Sequence, residues 1–231
     1  MSTTNEIAER FARDTGPHGH EELPPYGHLG PCRVVADRPH EMTVLYDDGP
    51  YRHLRFKSPD ASRYWFELIT WPGCLTFRGD VGDDFTFARV PDMFAFFRGH
   101  EINPTYWSEK TTATTMTYSE DLFKRSVWEH VRNYGQGHRG LARAVQEHFF
   151  DRWSSDWDTS REDQAREALE AFAFTAAGRG EPFGFVDAWE WSFRDFDWSF
   201  LWACHAIVWG IARYDAEHAV TTVELATAGA S

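Results

Sequence analysis

The chain has little of the chemistry by which most small proteins advertise themselves. It holds three cysteines, Cys32, Cys74 and Cys204, an odd number with no CxxC pair. That argues against a disulfide framework and against a cysteine-based zinc module, and it points to a reducing compartment. No GxxxxGK[ST], GxSxG or HExxH run occurs. A phosphate-cradling P-loop, a nucleophile elbow and a zincin helix are therefore not expected, and neither is a catalytic residue or a bound cofactor. Positive charge is scarce too. Lys and Arg total 23 against 36 Asp and Glu, a formal net charge of −13. Such a field repels a phosphate backbone, so direct nucleic-acid binding is not expected, whereas a basic protein partner is favoured. Long apolar runs are missing as well. The longest, Phe200 to Ala212, is interrupted by His205 and is too short for a bilayer span. The stretch Met1 to Arg13 is polar and reads as no signal peptide.

What the chain has is aromatic mass: 11 Trp, 19 Phe and 8 Tyr in 231 residues. Each buried ring removes a large apolar area from water, so a sizeable core is within reach. The fold class read from the pattern is α+β, an antiparallel β-meander over residues 41–90 packed against a C-terminal helical half. Residues 1–40, with five prolines and four histidines, read as an irregular arm. Residues 41–118 read as the sheet with one short helix, Asp92 to Arg98, and a long loop over 99–118. The strands are expected at Met42–Tyr46, Tyr51–Lys57, Arg63–Thr70, Cys74–Arg78 and Phe85–Arg89, with turns punctuated by Gly49-Pro50, Pro59-Asp60, Pro72-Gly73 and Gly79–Asp83. Residues 119–220 read as helical, packed on the sheet as one domain. Ser119 caps a helix running to Tyr134, a second helix spans about 138–152, Ser160 and Asp163 resemble a capping box for a third ending at Gly178, and a last helix covers about 198–217. Residues 221–231 read as a flexible tail.

Four constellations invite a chemical reading. Asp80, Asp83 and Asp84 crowd one turn, where three carboxylates can hold Mg²⁺ or Ca²⁺, although Asp and Gly are also what a hairpin turn demands. His18 and His20, followed by Glu21 and Glu22, have the i, i+2 spacing of some metal sites, within a segment rich in Pro and Gly. Cys204 and His205 are adjacent, but neighbouring helix positions point about 100° apart, so a hydrogen-bonded core histidine is the better account. The most unusual segment is 183–202, with nine aromatics interleaved with Asp187, Glu190, Asp195 and Asp197. Most of its rings belong in a core. Its carboxylates must meet water or a partner, and exposed rings among them, with Trp189 and Trp191 the candidates, make a surface suited to a basic protein.

Two stretches carry a family resemblance. One runs through YRHLRF at 51–56, YWFELITWPGCL at 64–75, Gly79-Asp80, Phe87–Arg89, DMFAFFR at 92–98 and INPTYW at 102–107; the other is FLWACHAIVWG at 200–210. Together they resemble a family common in phage and prophage genomes, similar to the phage inhibitors of the Gabija defence system. The likeness covers roughly residues 50–107 and 198–215, and its markers are aromatic, turn and sheet residues, so no catalytic residue transfers. The resemblance implies an anti-defence protein in the host cell cytoplasm that binds a bacterial antiviral nuclease complex, blocks its access to DNA, and works as a homo-oligomer without a cofactor. Two alternatives stand beside it. One is a metal-dependent hydrolase or nucleotide-signal-degrading enzyme, with Asp80, Asp83, His53 and His100 as first suspects. The other is a phage structural or interaction protein.

Overall fold

The computed structural model describes residues 40–60, 62–98, 102–151, 153, 155–176 and 182–228, with the backbone alone over 220–228. The N-terminal arm, with His18, His20, Glu21, Glu22 and Cys32, lies outside the described residues, as does His100. The fold is α+β. The chain divides into two compact units, one formed by residues up to Thr115 together with Phe196 onward, the other by Met116–Asp195. The expected division at 118 put every later helix in one group. The last helix instead belongs with the sheet.

The first unit is built on five antiparallel strands in meander order, β1 (Glu41–Asp48), β2 (Tyr51–Lys57), β3 (Phe66–Trp71), β4 (Cys74–Gly79) and β5 (Phe85–Ala88). Turn chemistry sets their register. Trp71 pairs with Cys74 across a two-residue loop, in which Gly73 takes φ +88°, a conformation an L-residue avoids and Pro72 cannot adopt. Alternation then sends one set of side chains inward. Leu54, Phe56, Phe66, Leu68, Leu75, Phe77, Phe85 and Phe87 are all fully buried, as period-2 patterning requires of a sheet covered on one face.

Two helices cover that face. The short α1 (Met93–Phe97) starts at Asp92, whose carboxylate accepts from the Phe94 N–H, and buries Met93, Phe94 and Phe97. The long α6 (Trp198–Ala228) is apolar around most of its first turns, the signature of a helix buried on several sides. It contributes Phe200, Trp202, Ala203, Cys204, Ala206, Ile207 and Ile211 to the same core. Gly210 lets it sit close, since a β-carbon there would fall 2.9 Å from Leu68 Cδ1 and 3.1 Å from Phe56 Cζ. The helix runs well past 217, and the tail expected from 221 is helical to Ala228. None of the described helices is long and apolar enough to cross a membrane.

Within the expected loop 99–118 lie a helix, α2 (Pro104–Ser108), and a strand, β6 (Met116–Tyr118). Asn103 accepts from the Tyr106 N–H at 3.0 Å and Pro104 occupies the first turn, an N-cap and N1 pair that also reads as a turn signal.

The second unit begins at β6, which pairs with β7 (Arg194–Phe196). Ser119 caps α3 (Glu120–Tyr134) by accepting from the Leu122 N–H at 3.2 Å. The second helix is shorter than expected: α4 (Leu141–Val145) passes into a single π turn, Gln146–Phe150. The third, α5 (Glu162–Ala171), has Arg161 at its N-cap with no side-chain cap. Ser160 donates its hydroxyl to Asp158 at 2.6 Å instead, a local bond that competes with capping. The helix also stops before Gly178, because Phe172 turns extended and Phe174 bridges to Phe183. Phe123, Val127, Val145, Phe149, Leu169, Phe183 and Phe193 fill this unit's own core.

Candidate functional site

The aromatic segment sorts itself by alternation and by one strained residue. Phe183, Phe185 and Phe193 point into the second unit's core. Between them Asp187 adopts φ 54°, a left-handed conformation that Asp tolerates better than most residues. The kink starts a 3-10 turn, Ala188–Glu190, that throws side chains outward. Val186 is 69% exposed and Trp189 74% exposed, and Glu190 is exposed beside them. Trp191 turns back, half-buried, with its ring 5.9 Å from Phe185 and 5.1 Å from His130. Arg166 ties the return down, stacking on Phe193 at 5.0 Å and donating to the Trp191 carbonyl at 3.2 Å.

Beside this turn lies an open cleft of about 600 Å³. One wall is the end of α3 and the loop after it, giving His130, Tyr134 and His138; the other is the kinked segment, giving Gly184, Asp187 and Trp191. His130 sits among rings, 4.6 Å from Tyr134 and 5.3 Å from Phe185. Burial holds its imidazole below the ordinary histidine value, although a hydrogen bond with the Gly184 backbone works the other way. It is therefore neutral at pH 7. His138 packs on Phe183 at 5.5 Å, and its Nδ1 is buried without a hydrogen-bond partner. Among the described residues no Lys or Arg lines the cleft.

The sequence-predicted partner residues thus separate. Asp187 and Trp191 line the cleft, and Trp189 and Glu190 lie exposed in the turn between them. Asp195 lies half-buried in β7. Asp197 is held at the start of α6, where it accepts from the Ser199 N–H at 2.8 Å and from the Ser199 hydroxyl. His130, Tyr134 and His138 carried no spacing signal toward this site. The run Gly135–Gly140 does match GxGxxG, but it follows α3 and opens a five-residue helix. It lacks the strand before and the full helix after that give the motif its meaning.

Among the described residues the metal and enzyme suspects form no metal-binding cluster. Asp80 accepts from the Tyr64 N–H at 2.8 Å, a contact that shapes the approach to β3. Among the described residues no three His, Cys, Asp or Glu side chains are placed to hold a metal ion. Cys204 is fully buried, and burial pushes its thiol well up. His53 lies on the outer face of the sheet, 3.0 Å from Glu67. Glu67 is 3% exposed and also accepts from Arg55 Nε at 2.7 Å. Burial opposes its ionisation, but the bonds from His53 and Arg55 prevail and hold its carboxyl below the usual range. Glu67→Ala is expected to lower unfolding free energy by about 1–2 kcal/mol in urea titrations. This is less than for a fully buried pair, because His53 and Arg55 are both partly exposed and regain water. The carboxylate's contribution is full above its unfolded pKa and fades as pH falls through the lower folded value.

Comparison with protein-family models, curated proteins and solved structures finds no match to this chain.

Proposed function

We propose that this protein acts by contact, as a phage-encoded anti-defence inhibitor that docks on a bacterial antiviral nuclease complex of the Gabija kind. The observation that carries the binding reading is the rim of the cleft. Trp189, Val186 and Tyr134, exposed by 74%, 69% and 67%, stand beside the carboxylates of Asp187 and Glu190. Large exposed rings among acids are costly to leave in water and are the usual anchors of an interface. The net charge of −13 suits a basic partner, since it imitates the field of DNA and raises the encounter rate. The resemblance of residues 50–107 and 198–215 names the partner class. Covering a large nuclease complex calls for several copies acting together in the host cytoplasm.

A pull-down of the tagged protein against a co-expressed Gabija complex tests this. Retention is expected at about 0.1 M salt, with marked weakening at about 0.5 M as screening shortens the reach of the charges. Trp189→Ala is expected to weaken binding about 30-fold without a loss of stability, because its ring is a hot-spot anchor exposed in the free protein. No retention at either salt overturns the proposal.

A further inference from the structure

The cleft behind that rim has a more specific chemistry. We propose that it is a guanidinium pocket, receiving one arginine side chain of the protein partner; the inference rests on the binding role proposed above.

The lining selects by elimination. An anion meets no countercharge among the described residues that border the cleft, none of which is Lys or Arg. A wholly apolar group would cover Asp187 and the imidazole of His138 and leave both without a partner, which is costly. What the walls offer are acceptors and ring faces. Asp187 supplies a carboxylate and Tyr134 a hydroxyl oxygen. His138 borders them, with its Nδ1 buried and without a hydrogen-bond partner. His130, kept neutral by its burial among the rings, adds no repelling charge. Trp191 and Tyr134 present aromatic faces to a cation.

A guanidinium answers each of these features. It carries five donors and no acceptor, remains charged at any working pH, and is flat enough to lie against a ring. An ammonium is a compact, strongly hydrated point charge, with three donors and no plane to stack. A cleft of about 600 Å³ exceeds a single side chain, so it takes the arginine with part of its flanking backbone. Any arginine on a DNA-binding surface would meet here a site that competes with phosphate for the same fork of donors.

The test uses the intact protein with no partner present. Histidine-labelled protein is titrated with N-acetyl-arginine methylamide, and in parallel with the lysine compound, while the ring resonances of His130 and His138 are followed by NMR. Saturable shifts are expected with arginine, and about tenfold weaker binding with lysine. Asp187→Asn is expected to weaken arginine binding about tenfold or more while leaving the backbone spectrum intact, since it removes one exposed charge. Absence of saturable shifts, or equal responses to the two compounds, overturns the pocket. Carrying Asp187→Asn into the pull-down separates this inference from the partner reading. Undiminished capture by the variant refutes the pocket as the anchor and leaves the inhibitor reading standing. Arginine binding without capture of any nuclease complex refutes the assigned partner, and the arginine of the proposal with it.

Discussion

Phe66→Ala is expected to destabilise the protein by about 3–5 kcal/mol, near the upper end of what a single core truncation does. Phe66 is fully buried and is the hub of the sheet's inner face. Its ring stacks on Phe56 at 4.6 Å, lies 5.7 Å from Phe77, and meets Trp202 and Trp209 edge-on at 5.6 Å and 6.2 Å. Truncation loses the transfer free energy of a whole ring and several aromatic contacts of about 0.5–1.5 kcal/mol each. It also leaves a cavity the neighbours cannot close. Phe56 and Phe77 are fixed by ladder hydrogen bonds on either side of β3, and Trp202 and Trp209 are carried on α6, already as close to the sheet as Gly210 allows. Urea titration measures the effect. A loss below about 1 kcal/mol would mean that the core collapses around the gap, contrary to this packing. Phe66→Leu should recover part of the loss, because it restores volume without the stacking geometry.

The same hub shows why so much of the sheet was legible from residues alone. Strands β2, β4 and β5 alternate because one face is buried and the other meets water, whereas β3 also buries Glu67 on its outer face, and each turn carries its own punctuation, as Pro72-Gly73 does. Helix α3 announced itself through Ser119 and the apolar spacing of Phe123 and Val127. Local signals failed where two structures share one signature. Asn103-Pro104 marks a turn and a helix start equally well, and which it is depends on whether the Asn103 carboxamide reaches the Tyr106 N–H. Ser160 has the residue type of a cap, but Asp158 takes its hydroxyl first. The grouping of α6 with the sheet was also hidden. Its apolar residues show that it is buried but not against what, and that depends on Gly210 facing Leu68 and Phe56. The cleft was half visible. Asp187, Trp189 and Trp191 stood out because acids and indoles alternate there. His130, Tyr134 and His138 did not, since they come from the end of α3 and the loop beyond, far from residues 184–191 in the sequence. The pairing of Phe174 with Phe183, the bond from Arg166 to the Trp191 carbonyl and the packing of Phe185 and Trp191 on His130 bring the later segment back, and no periodicity encodes these contacts.

Acid should unfold the protein earlier than its carboxylates alone would dictate, and His205 is the reason. It lies in α6 at 6% exposure, and burial pushes its imidazole down to about 3, far below the ordinary histidine value. The folded chain therefore keeps the ring neutral across a range in which the unfolded chain protonates it. The sign follows from linkage. Between the unfolded value near 6.5 and the folded value near 3 the unfolded state binds more protons, so stability falls as pH falls, by about 1.4 kcal/mol per pH unit. Over the whole window the loss approaches about 5 kcal/mol, of which about 2 kcal/mol should appear between pH 6.5 and 5. Carboxylates such as Glu67 contribute their own losses below that interval, so the upper part of the window isolates histidine protonation. His130 titrates in the same direction, which makes the comparison of variants decisive. His205→Gln removes the titrating ring and keeps a polar side chain of similar reach. It lowers stability at pH 7 by disturbing a packed site, but its unfolding free energy should fall less steeply from pH 6.5 to 5 than that of the parent. The missing slope is the proton that the buried imidazole refuses. Parallel slopes in the two proteins would show that His205 is not the group whose burial resists protonation.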